Sequence, residues 1–147
     1  HKLPVPEGLH LIVLHPQVVI KTAESRAVSP SQVLLQDAID ASAWMGRFVQ
    51  SCYTNYLEGF SHSFKDLLVG PYREPLLPAF NTCELAAMNA GALTGGISGS
   101  GPSSFWVANS KENADLIAKA LQKVMTSESM DCHIHVTTVS NIGAHAV

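Results

Sequence analysis

The chain has 147 residues, 46% of them hydrophobic and 14% charged, a balance that suits one compact domain with a real core and excludes disordered and fibrous classes. Its formal net charge of −3, with scattered signs and no basic stripe, argues against nucleic acid as the main partner. No apolar run approaches a membrane span, no cationic leader precedes an apolar core, and Cys52, Cys83 and Cys132 lack any C-x-x-C spacing, so the chain reads as a cytoplasmic protein with reduced thiols and no membrane partner.

Residues 1–8 contain Pro4 and Pro6 and read as a linker or a cloning remnant leading into a domain over 9–147. Leu9 to His15 is nearly continuous in apolar residues and predicts a strand buried on both faces, closed by Pro16. His10 and His15 fall on opposite faces of that strand by its period of two, which suits ordinary strand-end histidines better than a ligand pair. Thr22 to Val28 predicts a short helix with Thr22 as its cap and Glu24 in its first turn. Arg26 would then stand on the last turn, near the end of the preceding strand, where α/β proteins often place a ligand group; the alternative is a solvated surface arginine.

Ser29-Pro30-Ser31-Gln32 has the form of a capping box with proline at the first helical position. Leu35, Ile39, Met45, Phe48, Val49, Cys52 and Tyr56 follow at helical spacing and predict one long amphipathic helix whose stripe is core. A further helix is expected over 56–68, stopped by Gly70-Pro71. Three prolines keep 71–80 from being regular helix, with Leu76 and Leu77 as anchors and Tyr72, Arg73 and Glu74 presented outward. After an alanine-rich helix over 82–90 and a strand over 92–97, a strand over 104–108 leads to a helix capped by Ser110, with Ala114, Ile117, Leu121 and Val124 buried. Cys132 to Ser140 alternates as the last strand. His133 and His135 share one face of it beside Asp131 and Cys132, but without further nearby ligands no metal is expected.

The run from Gly95 to Val107, GGISGSGPSSFWV, is the feature the chain is organised around. Its glycines let backbone amides come close to whatever binds, which suits an anion nest; a tight strand connection would need the same residues. No GK[ST] follows, so it is not a P-loop.

Gly96-Ile97-Ser98-Gly99-Ser100-Gly101-Pro102 resembles the late glycine-rich motif of the GHMP small-molecule kinases. Lys21-Thr22-Ala23-Glu24-Ser25-Arg26 and Pro71-Tyr72-Arg73-Glu74-Pro75-Leu76-Leu77-Pro78-Ala79-Phe80 resemble the homoserine kinases of that superfamily, in the same order. Nothing here is similar to the superfamily's phosphate loop, P-x-x-x-G-L-G-S-S-A-A, so the chain looks like a C-terminal half.

The resemblance implies an α+β, ferredoxin-like sandwich, a mainly antiparallel four-stranded sheet with helices on one face. It implies a parent enzyme that transfers a phosphoryl group from ATP, with Mg²⁺, to L-homoserine, on the route to threonine. Arg26 and Arg73 would hold the substrate carboxylate, and Gly96, Ser98, Gly99, Ser100 and Gly101 would form the wall beside the phosphate loop. No general base is assigned. The expected partners are L-homoserine, the parent's N-terminal domain against an apolar face of this one, and a second copy if the enzyme is a homodimer; this part alone is expected to bind neither ATP nor Mg²⁺ tightly. Another GHMP kinase, or a non-enzymatic ferredoxin-like module that binds an amino acid, would be the alternatives. Ser103 stands where the family usually has threonine, and Trp106 where a smaller residue is common.

Overall fold

A computed structural model describes residues 2–140 and residue 142. The chain runs β1 (His10–Pro16), α1 (Thr22–Ala27), α2 (Leu35–Thr54), α3 (Leu57–Ser61), α4 (Gly70–Arg73), a 3₁₀ turn (Glu74–Leu76), α5 (Phe80–Asn89), β2 (Thr94–Ile97), β3 (Ser104–Ala108), α6 (Lys111–Ser127) and β4 (Cys132–Thr138). The strands form one antiparallel four-stranded sheet in the order β2-β3-β1-β4, the ferredoxin-like arrangement.

β1 is a middle strand, and its register sets the core. Ile12 lies opposite Trp106 on one side and Val136 on the other, and Leu14 opposite Ser104 and Ile134. Their face meets Phe80 and Cys83 of α5 and Ile117, Leu121 and Met125 of α6, all buried. Each fully buried aliphatic side chain of this set contributes roughly 1.5–3 kcal/mol. α6 follows its sequence pattern closely: the Ser110 hydroxyl accepts from the Asn113 amide at 3.1 Å, and Ala114, Ile117, Leu121 and Val124 are buried.

The opposite face is only partly covered. α2 and α3 bring Phe48, Cys52, Leu57 and Phe60 onto Leu9, Leu11, Phe105 and Val107, with Leu3 beside them, adding a smaller core to the plain sandwich. Helices therefore pack on both faces, not one. Toward β4 that second face is open: Val13 and His15 are half-exposed and His133 and His135 exposed, so β1 is not buried on both faces. Their strand alternates as expected, over 132–138.

Several helix boundaries differ from the sequence expectation. Lys21, not Thr22, stands at the cap of α1. The Ser29 hydroxyl donates to the Ser25 carbonyl at 3.3 Å and closes α1, so the capping box is unused and α2 begins at Leu35. The stripe of α2 is core only in its C-terminal half, because that half alone lies against the sheet; Leu35, Ile39 and Met45 are exposed, as is Tyr56 beyond its end. α3 stops at Ser61, where the hydroxyls of Ser61 and Ser63 bond back to the Glu58 and Gly59 carbonyls. Asp66 then accepts from the amides of Leu68 and Val69 and holds a turn where helix was expected. Gly70-Pro71 opens the short α4 instead of stopping a helix, and Ala79 in the left-handed region starts α5 at Phe80.

Cys83 lies in the main core with its thiol near the Met125 sulfur, and burial first, then the neighbouring Cys132 and Glu128, push it from 9.0 up to about 11. Folding thus favours the protonated thiol. Its contribution is complete below pH 9 and is lost as pH rises toward 11, by at most about 3 kcal/mol at roughly 1.4 kcal/mol per pH unit. Denaturant titrations at pH 8, 9.5 and 10.5 are expected to show that decline, and Cys83→Ala to flatten it; an equal slope in the variant would place the pH dependence elsewhere.

Candidate functional site

β1 ends at Pro16, β3 begins at Ser104 and β4 begins at Cys132, so α1 and the β2–β3 turn emerge at one end of the sheet. The glycine run forms that turn. The Ser98 amide donates to the Ser103 carbonyl at 2.8 Å and the Gly101 amide to the Ser98 carbonyl at 3.2 Å, while the Gly101–Pro102 peptide is cis. The amides of Gly99 and Ser100 have no partner among the described residues. The tight strand connection is thus present.

Two glycines have identifiable steric reasons. A Cβ on Gly95 would lie 2.0 Å from the Trp106 ring, so the large indole fits because its cross-strand neighbour has no side chain. Gly101 has φ +78°, and a Cβ there would press on Leu77 at 3.3 Å. Leu77 is buried, as expected of an anchor, and ties the proline-rich segment to this turn.

The three segments singled out in the sequence converge here. Arg73 donates from Nε to the Ser25 carbonyl at 3.3 Å and from Nη1 to the Gly99 carbonyl at 3.2 Å. The Ser25 hydroxyl donates to the Ser100 carbonyl at 2.9 Å. Arg73 also borders a cavity of about 590 Å³, together with Gly96, Gly99, Phe105, Glu74 and Asp66. Of the glycine-run candidates, Gly96 and Gly99 line this cavity; Ser98, Ser100 and Gly101 shape the turn behind it. Arg26 is exposed, its guanidinium makes no hydrogen bond or ion pair among the described residues, and it does not line the cavity. Its peptide neighbour Ser25 is nevertheless the acceptor of Arg73.

Arg73 and Glu74 form no ion pair with each other, whereas Lys111 and Asp115 pair on α6. The Glu74 carboxyl is held above its usual range, first by burial and then by the like charges of Glu84 and Asp66. Sequence reasoning missed Glu74 and Ser25. Their only signal was position, beside each arginine. Another depression, of about 660 Å³, lies on the β4 side around Gln17, Gln122 and Asp131 and contains none of the motif residues. His15 bonds through Nδ1 to the Ser103 hydroxyl at 2.8 Å, His10 to the Gly8 carbonyl at 3.1 Å, and no group of three or more metal-ligating side chains occurs among the described residues. No helix there is long and apolar enough to cross a membrane, and all three cysteines are free.

Residues 57–127 match the family model described as GHMP kinases C terminal. The chain is 31% identical over 147 residues to a homoserine kinase of Chlorobium phaeobacteroides (strain BS1), covering 99% of this chain and 46% of that protein. It is similar to the crystal structure of homoserine kinase from Cytophaga hutchinsonii ATCC 33406, with 35% identity and a TM-score of 0.92 over 95% of this chain and 44% of that one. The L. major mevalonate kinase structure in complex with R-mevalonate shares the fold, at 15% identity and a TM-score of 0.68. The chain spans about half the length of these relatives. The sheet with its helices matches the C-terminal domain of GHMP kinases, as the resemblance implied.

The Gly95–Trp106 contact is directly testable. Gly95→Ala is expected to cost about 1–3 kcal/mol by overpacking, measured by urea denaturation. In a Trp106→Phe background, with its smaller ring, the same substitution should cost less; equal costs in both backgrounds would show that the indole is not what requires glycine.

Proposed function

We propose that this chain is the C-terminal, substrate-binding half of a homoserine kinase, with residues 1–8 leading into a domain over 9–147. The parent would transfer the ATP γ-phosphoryl group to the hydroxyl of L-homoserine in the cytoplasm, as a step toward threonine. The observation that carries this reading is the convergence of three separate segments on Arg73, whose guanidinium is held between the Ser25 and Gly99 carbonyls at the edge of the cavity. A guanidinium has five N–H donors, and those beyond the two already committed are suited to a carboxylate. In this reading Arg26 supplies the second cation for the same carboxylate, from its exposed place beside the clasp.

Phosphoryl transfer depends on positioning and charge stabilisation more than on covalent chemistry. This chain's part is the positioning of the amino acid. No stretch of it resembles the family's phosphate loop, so ATP and Mg²⁺ would be held by the N-terminal half. Exposed Val19, Leu34, Leu35 and Ile39 support a covering domain, since aliphatic side chains this open, 91% for Val19 and 76% for Leu35, leave apolar area in water.

The test is ADP release from ATP and Mg²⁺ by the full-length enzyme, with L-homoserine and with mevalonate. Homoserine-dependent turnover is expected, falling at least about a hundredfold in kcat/KM for Arg73→Ala, as for loss of a charged positioning contact, while the isolated chain stays silent. Absence of homoserine-dependent turnover, or turnover by the isolated chain, would overturn the assignment.

A further inference from the structure

We propose that Ser25 is a positioning residue, the joint that holds the glycine turn and both arginines in one arrangement for a substrate carboxylate; the carboxylate part of this rests on the function proposed above. Ser25 is fully buried, whereas every other residue of α1 is exposed. A buried hydroxyl must find a partner, and this one donates to the Ser100 carbonyl at 2.9 Å, across 75 positions of sequence. The carbonyl of the same residue accepts from Arg73 Nε and from the Ser29 hydroxyl.

These bonds close a circuit. From Ser25 it runs through Arg73 to Gly99, crosses one peptide bond to Ser100, and returns to the Ser25 hydroxyl. Within the turn, the Ser98 and Gly101 amide bonds fix the two ends, and the contacts to Gly99 and Ser100 come from Arg73 and Ser25. A glycine-rich segment has many backbone states to lose, so the circuit selects one of them. Arg26 is the peptide neighbour of Ser25, and any shift of α1 therefore moves one arginine directly and the other through its Nε bond. Ser25 itself touches no substrate in this scheme; it sets the spacing of the groups that do.

Ser25→Ala removes the hydroxyl bond and keeps the carbonyl that Arg73 uses. In the full-length enzyme it is expected to raise KM for L-homoserine about tenfold, a typical consequence of a small misplacement, with KM for ATP changed less than about twofold. In an Arg73→Lys background the same substitution should change KM for homoserine less than about twofold, because the circuit is already open. In the 147-residue chain, hydrogen exchange at the Ser98 and Gly101 amides should accelerate about tenfold, with β1 amides unchanged. Should the alanine variant fail to fold, Ser25→Cys, similar in size with a weaker donor, is read in the same way. Unchanged exchange at Ser98 and Gly101, or effects of Ser25 and Arg73 substitutions that simply add, would overturn the joint. Absence of homoserine-dependent turnover in the unmodified enzyme would instead overturn the substrate reading, and the exchange result would still decide whether the joint exists.

Discussion

β1 is hydrogen-bonded on both sides, and that placement decides where everything else can go. Its register with β3 and β4 fixes which residues enter the main core, and its C-terminal end sets the height at which α1 leaves the sheet. The β2–β3 turn leaves at the same height, because Ile97 pairs with Ser104 and Ser104 with Leu14. Two segments 75 residues apart in sequence are thus neighbours before any side chain is considered, and the Ser25 to Ser100 bond joins them. The 71–80 segment reaches the same place by another route, through Leu77 under Gly101.

What could be read from the sequence followed the strength of the local signal. α6 carries a serine cap and a regular apolar stripe, so local and tertiary preferences agree, and cap and stripe were both legible. The boundaries of β3 were legible for a similar reason, set between a proline and a helix cap. The apolar pattern of α2 implies a cover that half of the helix lacks. Periodicity reports which residues share a face; it says nothing about whether this chain supplies the surface opposite, and at Leu35, Ile39 and Met45 it does not. The capping box at Ser29 failed for a different reason: the hydroxyl had a nearer acceptor in the Ser25 carbonyl.

The candidate site was legible in its composition and not in its wiring. Family resemblance pointed to Arg73 and the glycine run, and the fold brings them within hydrogen-bonding distance. Nothing in the pattern distinguished Ser25 from any other small helical residue, since its importance comes from burial against a turn far along the chain. Arg26 and Arg73, treated alike in the sequence, have different settings here. One guanidinium is clasped by two carbonyls, and the other makes no hydrogen bond or ion pair among the described residues.

That difference gives arginine, not lysine, a physical rationale at position 73. A lysine ammonium is a compact charge on a flexible stem, and turning it toward two carbonyls would turn it away from a ligand. A guanidinium is planar and rigid. Its Nε and Nη1 can face the protein while the remaining N–H groups point along a fixed plane, so the contacts that hold the side chain also aim it. The rotamer entropy of a long side chain is then lost on folding and need not be lost again on binding. A cation arranged in this way favours one orientation of a planar anion, and it does so through backbone carbonyls, whose positions depend on the sheet.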